Sequence, residues 1–370
     1  MTVTSFPANM HRTRPISGQT KTEYREIDKS GPWVLRCAPG LGRLLANEMA
    51  FFGAASRNES PLFLRQRGHD LLFIQNSKRN PPLSSLRIAE EVHYCLTYGR
   101  FKVSKSQIER LAATLRAQER PFRLIVTAEG SHFSRQDMKR WLGRELTGLR
   151  VKLDEDAPTA LYTFCIDQAY YICLLHSSSA DASFRRERSA ERVGSLPPTI
   201  AAAVAFLGKP VSSDVALDPV CGTGTLLSEA YAYCPAMKLI GIDSDPVALR
   251  AARRNLSHAP DCNLLVGDAT DTKLASGSIT LFLANLPFGK RFGNRETNPQ
   301  LYRGVIAEMR RLGMPGKWRA VLLTSDTAAL EKVMSDEGDL TTIKRTKVTI
   351  RGEPAVISVI CHSRQTTVVG

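Results

Sequence analysis

Three acidic positions and one asparagine-proline turn, all in the second half of the chain, have the residue types and spacing that chemistry requires. The first lies in the run Asp218, Pro219, Val220, Cys221, Gly222, Thr223, Gly224, Thr225, between the strand-like VALDPV and the helix-like LLSEAYAYC. Gly222 and Gly224 let the backbone turn sharply and approach a ligand closely, because a side chain at either place would fill that space. The run is neither G-x-G-x-x-G nor G-x-x-x-x-G-K-[ST], so a pyrophosphate or a nucleoside triphosphate is not its ligand. Asp243 closes KLIGID and Asp268 closes NLLVGD, 25 and 50 residues after Asp218, so three successive strand tips carry an acid on one rim. Asp243 with Ser244 suits a ribose diol, and Asp268 with Ala269 suits the exocyclic amine of adenine, an acceptor set against a donor. A nucleoside cofactor without phosphate fits this set, and S-adenosylmethionine is one. An aspartate after a strand also commonly caps the next helix, and that alternative stands beside this one.

The run Asn285, Leu286, Pro287, Phe288, Gly289, Lys290, Arg291 follows the next strand-like segment. A planar exocyclic amine holds its lone pair in the ring, so in-line attack on an activated methyl requires that its two N–H groups be held. The Asn285 side-chain oxygen and the carbonyl of Leu286 or Pro287 can accept them, with proline stiffening the turn and adding no competing donor. Phe288 offers the base a stacking face, and Lys290 and Arg291 can meet flanking phosphates. Positioning, more than acid-base chemistry, carries such a reaction. A base inside a stem cannot reach this pocket, so the nucleotide is expected to flip out. An ordinary Pro-Phe-Gly turn is the plain alternative.

The elements that must hold these residues alternate from position 215 onward as strand and helix, the pattern of a doubly wound parallel sheet. The chain then closes with LTTIKRTKVTI, a Gly352 turn and PAVISVICHS, which predict an antiparallel hairpin at the sheet edge. Ahead of this, residues 32–103 read as a small α+β module: strand WVLRCA, helix LGRLLANEMAFFG, a strand pair turning at Gly68-His69, and a second helix over 86–101. Residues 104–180 read as another α+β module, 181–196 as an Arg-rich linker, and 1–31 as a disordered tail. Residues 100–152 hold 13 Lys or Arg against five Asp or Glu. Within them Arg135, Lys139, Arg140 and Arg144 recur at helical spacing as one cationic face for a phosphate backbone. Arg185 and Arg186 in the linker are further candidates for RNA contact, and a solvated basic surface is the simpler reading of both groups.

The 370 residues carry 50 Lys or Arg and 36 Asp or Glu, a net charge of +14 that favours a polyanionic partner. The hydrophobic fraction of 43% is that of a folded globular chain. Eight scattered cysteines never form C-x-x-C pairs, which predicts buried thiols and no metal site. The absence of a leader-like or membrane-spanning apolar run predicts a cytoplasmic protein with no membrane partner.

DPVCGTGT (218–225), GIDSDPVALRAARRN (241–255) and NLPFGKRFG (285–293), with the connector FRRERSAERVGSLPPTIAAA, resemble the THUMP-domain RNA methyltransferases over residues 32 to about 363. The resemblance implies a ferredoxin-like domain at 32–103, a THUMP domain at 104–180 and, at 197–370, a Rossmann-like class I methyltransferase domain with a mostly parallel seven-stranded sheet. It implies that Asp218, Gly222 and Gly224 line S-adenosylmethionine, that Asp243 holds the ribose and Asp268 the adenine, and that Asn285 to Phe288 hold guanine. It also implies tRNA as partner, with the basic stretch delivering it. The N-L-P-F form is most similar to the enzymes that make N2-methylguanosine at position six of the acceptor stem, and Leu286 departs from the commoner N-P-P-Y.

Overall fold

The computed structural model of the protein describes residues 32–52, 61–66, 68–74, 85–130, 133–178, 195–288, 296–336 and 338–362. They form two seven-stranded sheets. The first comprises β1 (Trp33–Cys37), β2 (Leu62–Gln66), β3 (His69–Ile74), β4 (Glu91–Arg100), β5 (Arg123–Glu129), β6 (Ala160–Ile166) and β7 (Ala169–Ser178), in the order β2-β3-β1-β4-β7-β6-β5. Helices α1 (Gly42–Phe51), α2 (Lys105–Arg116) and α3 (Arg135–Gly148) pack on it. The boundary expected at 103/104 falls between β4 and α2, and hydrogen-bonded pairing of β4 with β7 runs across it.

One expected element is corrected. The segment 86–101 is not a helix; β4 occupies Glu91–Arg100 and pairs with β1 on one side and β7 on the other. Its Val, Thr and Tyr residues favour a pleated surface, and partners on both edges override the local helical spacing. His93, Cys95 and Thr97 are enclosed at alternate positions, as the pleat requires, while Val92, ahead of a register shift, is buried in a different core; His93 Nε2 lies 2.9 Å from Glu91 Oε2.

The second sheet has the order β10-β9-β8-β11-β12-β14-β13. Its strands are β8 (Val215–Asp218), β9 (Lys238–Asp243), β10 (Cys262–Val266), β11 (Leu281–Asn285), β12 (Arg319–Thr324), β13 (Leu340–Ile350) and β14 (Glu353–His362). The first five are parallel, and β14 and β13 close the edge as the expected antiparallel hairpin. Strand residues alternate between two cores. Leu281 and Leu283 join α4 (Pro198–Leu207), α5 (Thr225–Tyr233) and α6 (Pro246–Asn255) on one face. Phe282 and Ala284 meet α7 (Asn298–Leu312) and α8 (Thr327–Asp336) on the other. The chain leaves β8 towards β9 and β10 and returns to β11 on the opposite side, so the switch point lies at the carboxyl end of β8. That is where an open α/β sheet leaves a ligand crevice.

A buried polar junction fixes the amino-terminal elements to this domain. Glu48 of α1, fully buried, accepts from the amides of Arg87 (2.9 Å) and Ile88 (3.1 Å) and from the Tyr233 hydroxyl of α5. Arg87 Nε in turn donates to the buried Glu229 at 2.6 Å. Charges enclosed in this way persist only where partners satisfy them, so α1 and α5 hold one geometry.

Candidate functional site

The glycine turn is built by the strands beneath it. Cys221 N donates to Ile242 O of β9 at 2.8 Å, and Gly224 N returns to Cys221 O at 2.8 Å, so the turn folds back over the sheet edge. Gly222 and Gly224 sit at φ +53° and +78°, a region that side chains disfavour. Their reasons then diverge. A Cβ on Gly222 would meet nothing within 4 Å and would project into open space, as expected of a ligand-facing position. A Cβ on Gly224 would stand 2.7 Å from Leu256 Cδ1, so that glycine also serves packing within the protein. Asn255, which closes α6, donates from Nδ2 to Thr223 O at 2.9 Å and braces the turn. Thr223 and Thr225 are buried with their hydroxyl oxygens 3.4 Å apart.

Asp243 holds the turn from the neighbouring strand tip. Its Oδ2 accepts from Gly222 N at 2.7 Å and its Oδ1 from Asp245 N at 2.9 Å. The helix cap that might have explained Asp243 is instead Asp245, which starts α6 by accepting from Val247 N at 2.8 Å. Ser244 beside it is exposed. Asp218 is buried and accepts from Val220 N at 3.1 Å. Burial pushes its carboxyl well above the usual range; the Val220 amide opposes this and the Asp243 carboxylate adds to it. Cys221 is buried and its thiol is pushed up by burial and then by Asp218 and Asp243, so it is no nucleophile. On the third tip Asp268 accepts from the amide and the hydroxyl of Thr270, both at 2.8 Å, which lowers its pKa and keeps it anionic. Ala269 is buried behind it.

Asn285 ends β11 at the same end of the sheet. The register Leu281↔Ala216 and Phe282↔Leu217 sets Asn285 level with residues just past Asp218, and Asn285↔Leu323 sets it beside β12. Its Oδ1 is buried and, among the described residues, has no hydrogen-bond partner. An orphaned acceptor costs about 1–3 kcal/mol, which a bound donor would recover. Leu286 is fully buried and its amide donates to Leu323 O at 2.9 Å, so only its backbone is available to a ligand. The Pro287 carbonyl accepts from the Tyr302 hydroxyl at 2.5 Å and from Asn298 Nδ2 at 3.4 Å. With both lone pairs engaged it is a fixing point, which leaves the Leu286 carbonyl as the second candidate acceptor. Phe288 is half-buried against the core that contains Cys221. Lys290 and Arg291 lie outside the described residues.

Sequence reasoning missed the residues that aim this turn. Tyr302 of α7 is fully buried, its hydroxyl also 2.8 Å from Thr324 Oγ1, and burial pushes its pKa up to about 12, so it remains a donor at neutral pH. Asn298 ties the turn to Asp326 Oδ2 at 2.9 Å, while its own Oδ1 and the Ser325 hydroxyl are buried with no partner among the described residues. Helical periodicity marks Tyr302 only as core, and its hydroxyl carries the one sequence signal. Tyr302→Phe should lower kcat about tenfold, as expected for loss of one hydrogen bond that orients a catalytic group, with cofactor affinity unchanged in calorimetry.

The proposed RNA contacts are scattered. Arg135, Arg140 and Arg144 are exposed on α3, and Lys139 is half-buried. Lys139 pairs with Glu155 (2.9 Å), Arg140 with Asp137, and Arg144 lies 3.8 Å from Glu145. The four span half the helix circumference, at 100° per residue, so they make a broad cationic surface and not one stripe. Arg185 and Arg186 lie outside the described residues. A cavity of about 700 Å³, lined by Leu44, Phe51, Phe206, Tyr233, Arg319 and Val359, is at the other end of the sheet, where β12 begins, and holds none of the candidate cofactor, acceptor or RNA residues. Among the described residues no cluster of His, Cys, Asp or Glu suits a metal ion, and no helix is long and apolar enough to cross a membrane.

The strand order, the glycine turn at the switch point and the acidic strand tips define a class I methyltransferase fold. Residues 185–354 match the family described as UPF0020, the RMKL-like methyltransferase domain. The chain is 33% identical over 159 residues to the tRNA (guanine(6)-N(2))-methyltransferase THUMP3 of Bos taurus, a match covering 39% of this chain and 31% of that protein. It is 32% identical over 134 residues to the U6 snRNA (guanine-N(2))-methyltransferase THUMPD2 of Mus musculus, covering 35% of this chain and 25% of that protein. The matches thus span between a quarter and a third of those relatives' lengths. The crystal structure of TrmN from Thermus thermophilus superposes with a TM-score of 0.75 at 22% identity, covering 90% of this chain and 99% of that one, which extends the common fold to the amino-terminal elements.

Proposed function

We propose that the protein transfers a methyl group from S-adenosylmethionine to the exocyclic N2 amine of a guanosine in tRNA, at position six of the acceptor stem. The observation that carries this reading is the buried, unpartnered Oδ1 of Asn285, level with a glycine turn whose Gly222 faces open space. When bound, S-adenosylmethionine supplies an electrophilic methyl. Asp243 would accept from its ribose hydroxyls and Asp268 from its adenine amine, and the open side of Gly222 would leave room for it against the turn. Asn285 Oδ1 and the Leu286 carbonyl accept the two N–H groups of guanine N2 and turn its lone pair towards the methyl. Phe288 stacks on the extruded base, and Tyr302 and Asn298 keep the turn rigid through the Pro287 carbonyl. The α3 cations, with residues 104–180 as a THUMP domain, would grip the tRNA.

The guanine-N2 relatives support the choice of atom, and they are named for two RNA classes, tRNA and U6 small nuclear RNA, so a U6-like RNA is the second reading. Nucleoside analysis of RNA from a strain lacking the gene separates them. Loss of one N2-methylguanosine from tRNA is the expected result, and intact tRNA with a loss in another RNA would reverse the assignment.

A further inference from the structure

We propose that the tip of the β13–β14 hairpin is a phosphate-binding ridge for the RNA substrate, flanking the acceptor turn; this rests on the reading above. Register places the tip. Thr324, the last residue of β12, pairs with Val356 of β14, and the hairpin runs on to Ile350↔Glu353. At about 3.3 Å per residue the turn at Arg351 and Gly352 stands roughly 15 Å beyond Thr324, and at about 4.8 Å per strand β13 lies some 14 Å across the sheet from β11 and Asn285. The tip therefore overhangs the rim that holds the acceptor turn, about 20 Å from Asn285, a span of several nucleotides along an RNA strand.

The turn itself carries an unexpected side chain. Arg351 and Gly352 sit at φ +50° and +85°. A two-residue hairpin turn with both residues left-handed favours Asn or Gly at the first position, and a long side chain there is strained. Arg351 is exposed, so no packing offsets that strain. Lys347 is exposed as well, level with Val356. Among the described residues neither forms an ion pair, whereas Arg345 of the same strand pairs with Glu331 at 2.7 Å. Between 340 and 362 the chain has four Lys or Arg and one acid, Glu353.

The ridge is also held in place. Thr349 N donates to Pro39 O at 3.3 Å, and a Cβ on Gly40, at φ +90°, would lie 1.9 Å from Lys347 O. Only glycine permits this backbone contact, which seats the β1–α1 loop against the hairpin. Arg43, exposed in the first turn of α1, stands three residues further on. Fixed, uncommitted cations beside a site for an extruded base fit a polyanion's backbone, whose contacts position the substrate without reading its sequence.

The test uses the full-length protein, unfractionated tRNA and the variants Arg351→Asn, Lys347→Gln and their double. Lys238→Gln, exposed at the opposite end of the sheet, is the charge control. The double variant should bind tRNA about tenfold more weakly at physiological salt, with the slope of log affinity against log salt reduced by about two. Arg351→Asn should melt at an equal or higher temperature, S-adenosylmethionine affinity and kcat at saturating tRNA should hold, and the control should stay within about twofold of wild type. Unchanged affinity and slope in the double variant, or an equal loss in the control, overturns the ridge while leaving the methyl-transfer reading in place. Wild-type protein that binds no tRNA brings both down.

Discussion

Replacing Asn285 by Ala should lower kcat by about 10²- to 10³-fold, the range for losing one preorganised hydrogen-bonding group at the reacting centre, about 2.7–4 kcal/mol. Affinity for S-adenosylmethionine and for RNA should stay within about threefold, since the proposed cofactor contacts follow β8, β9 and β10 and the proposed phosphate contacts lie further out. The stability change has the opposite sign from most polar deletions. Asn285 Oδ1 is buried without a partner, so its removal should leave the melting temperature of the ligand-free protein unchanged or raised. Asn285→Asp keeps an oxygen at the same place and should retain more turnover than Ala. A parallel loss of kcat, RNA affinity and stability in Asn285→Ala would mean that the side chain is structural.

Asp243→Ala should weaken S-adenosylmethionine binding by about 10²- to 10³-fold, because two hydrogen bonds to a charged acceptor contribute about 3–4 kcal/mol together. The loss has a second source within the protein. Asp243 Oδ2 tethers Gly222 N, so without it the glycine turn keeps its anchors at Cys221 and Thr223 but loses the one on Gly222 itself. Asp243→Asn retains one acceptor oxygen for that tether but no charge, and should fall between wild type and Ala in a calorimetric titration. Near-wild-type binding by Asp243→Ala would remove the ribose role.

Much of the catalytic half was legible because its chemistry and its architecture are both local in sequence. Asp218, Asp243 and Asp268 close strands that alternate with helices, and such alternation allows few sheets, so three tips on one rim followed from spacing alone. The edge hairpin was legible for the same reason: two strand-like runs are joined at Gly352 with no helix between them. The failures were tertiary. The segment 86–101 has helical spacing, but Glu91–Arg100 is pinned as a strand by β1 and β7, elements more than 50 and 70 residues away in sequence. Glu48 fell on the buried face of a correctly placed helix, and its partners Arg87 and Tyr233 come from elements that only folding brings together. Tyr302 and Asn298 were hidden likewise, since their role exists only where α7 meets the Pro287 carbonyl. Gly224 reads in sequence as approaching a ligand; its left-handed backbone and the Leu256 methyl 2.7 Å from a Cβ there give it a packing reason as well, one that only the fold reveals.

The central claim is that one rim brings an activated methyl to a guanine amine held by Asn285. Incubation of the purified full-length protein with isotope-labelled S-adenosylmethionine and unmodified tRNA transcripts, followed by digestion and mass analysis of nucleosides, tests it most directly. Label is expected in N2-methylguanosine at a single nucleotide, forming about 10²- to 10³-fold more slowly with Asn285→Ala; label on a different atom, or labelling by the Asn285→Ala protein at the wild-type rate, would contradict it.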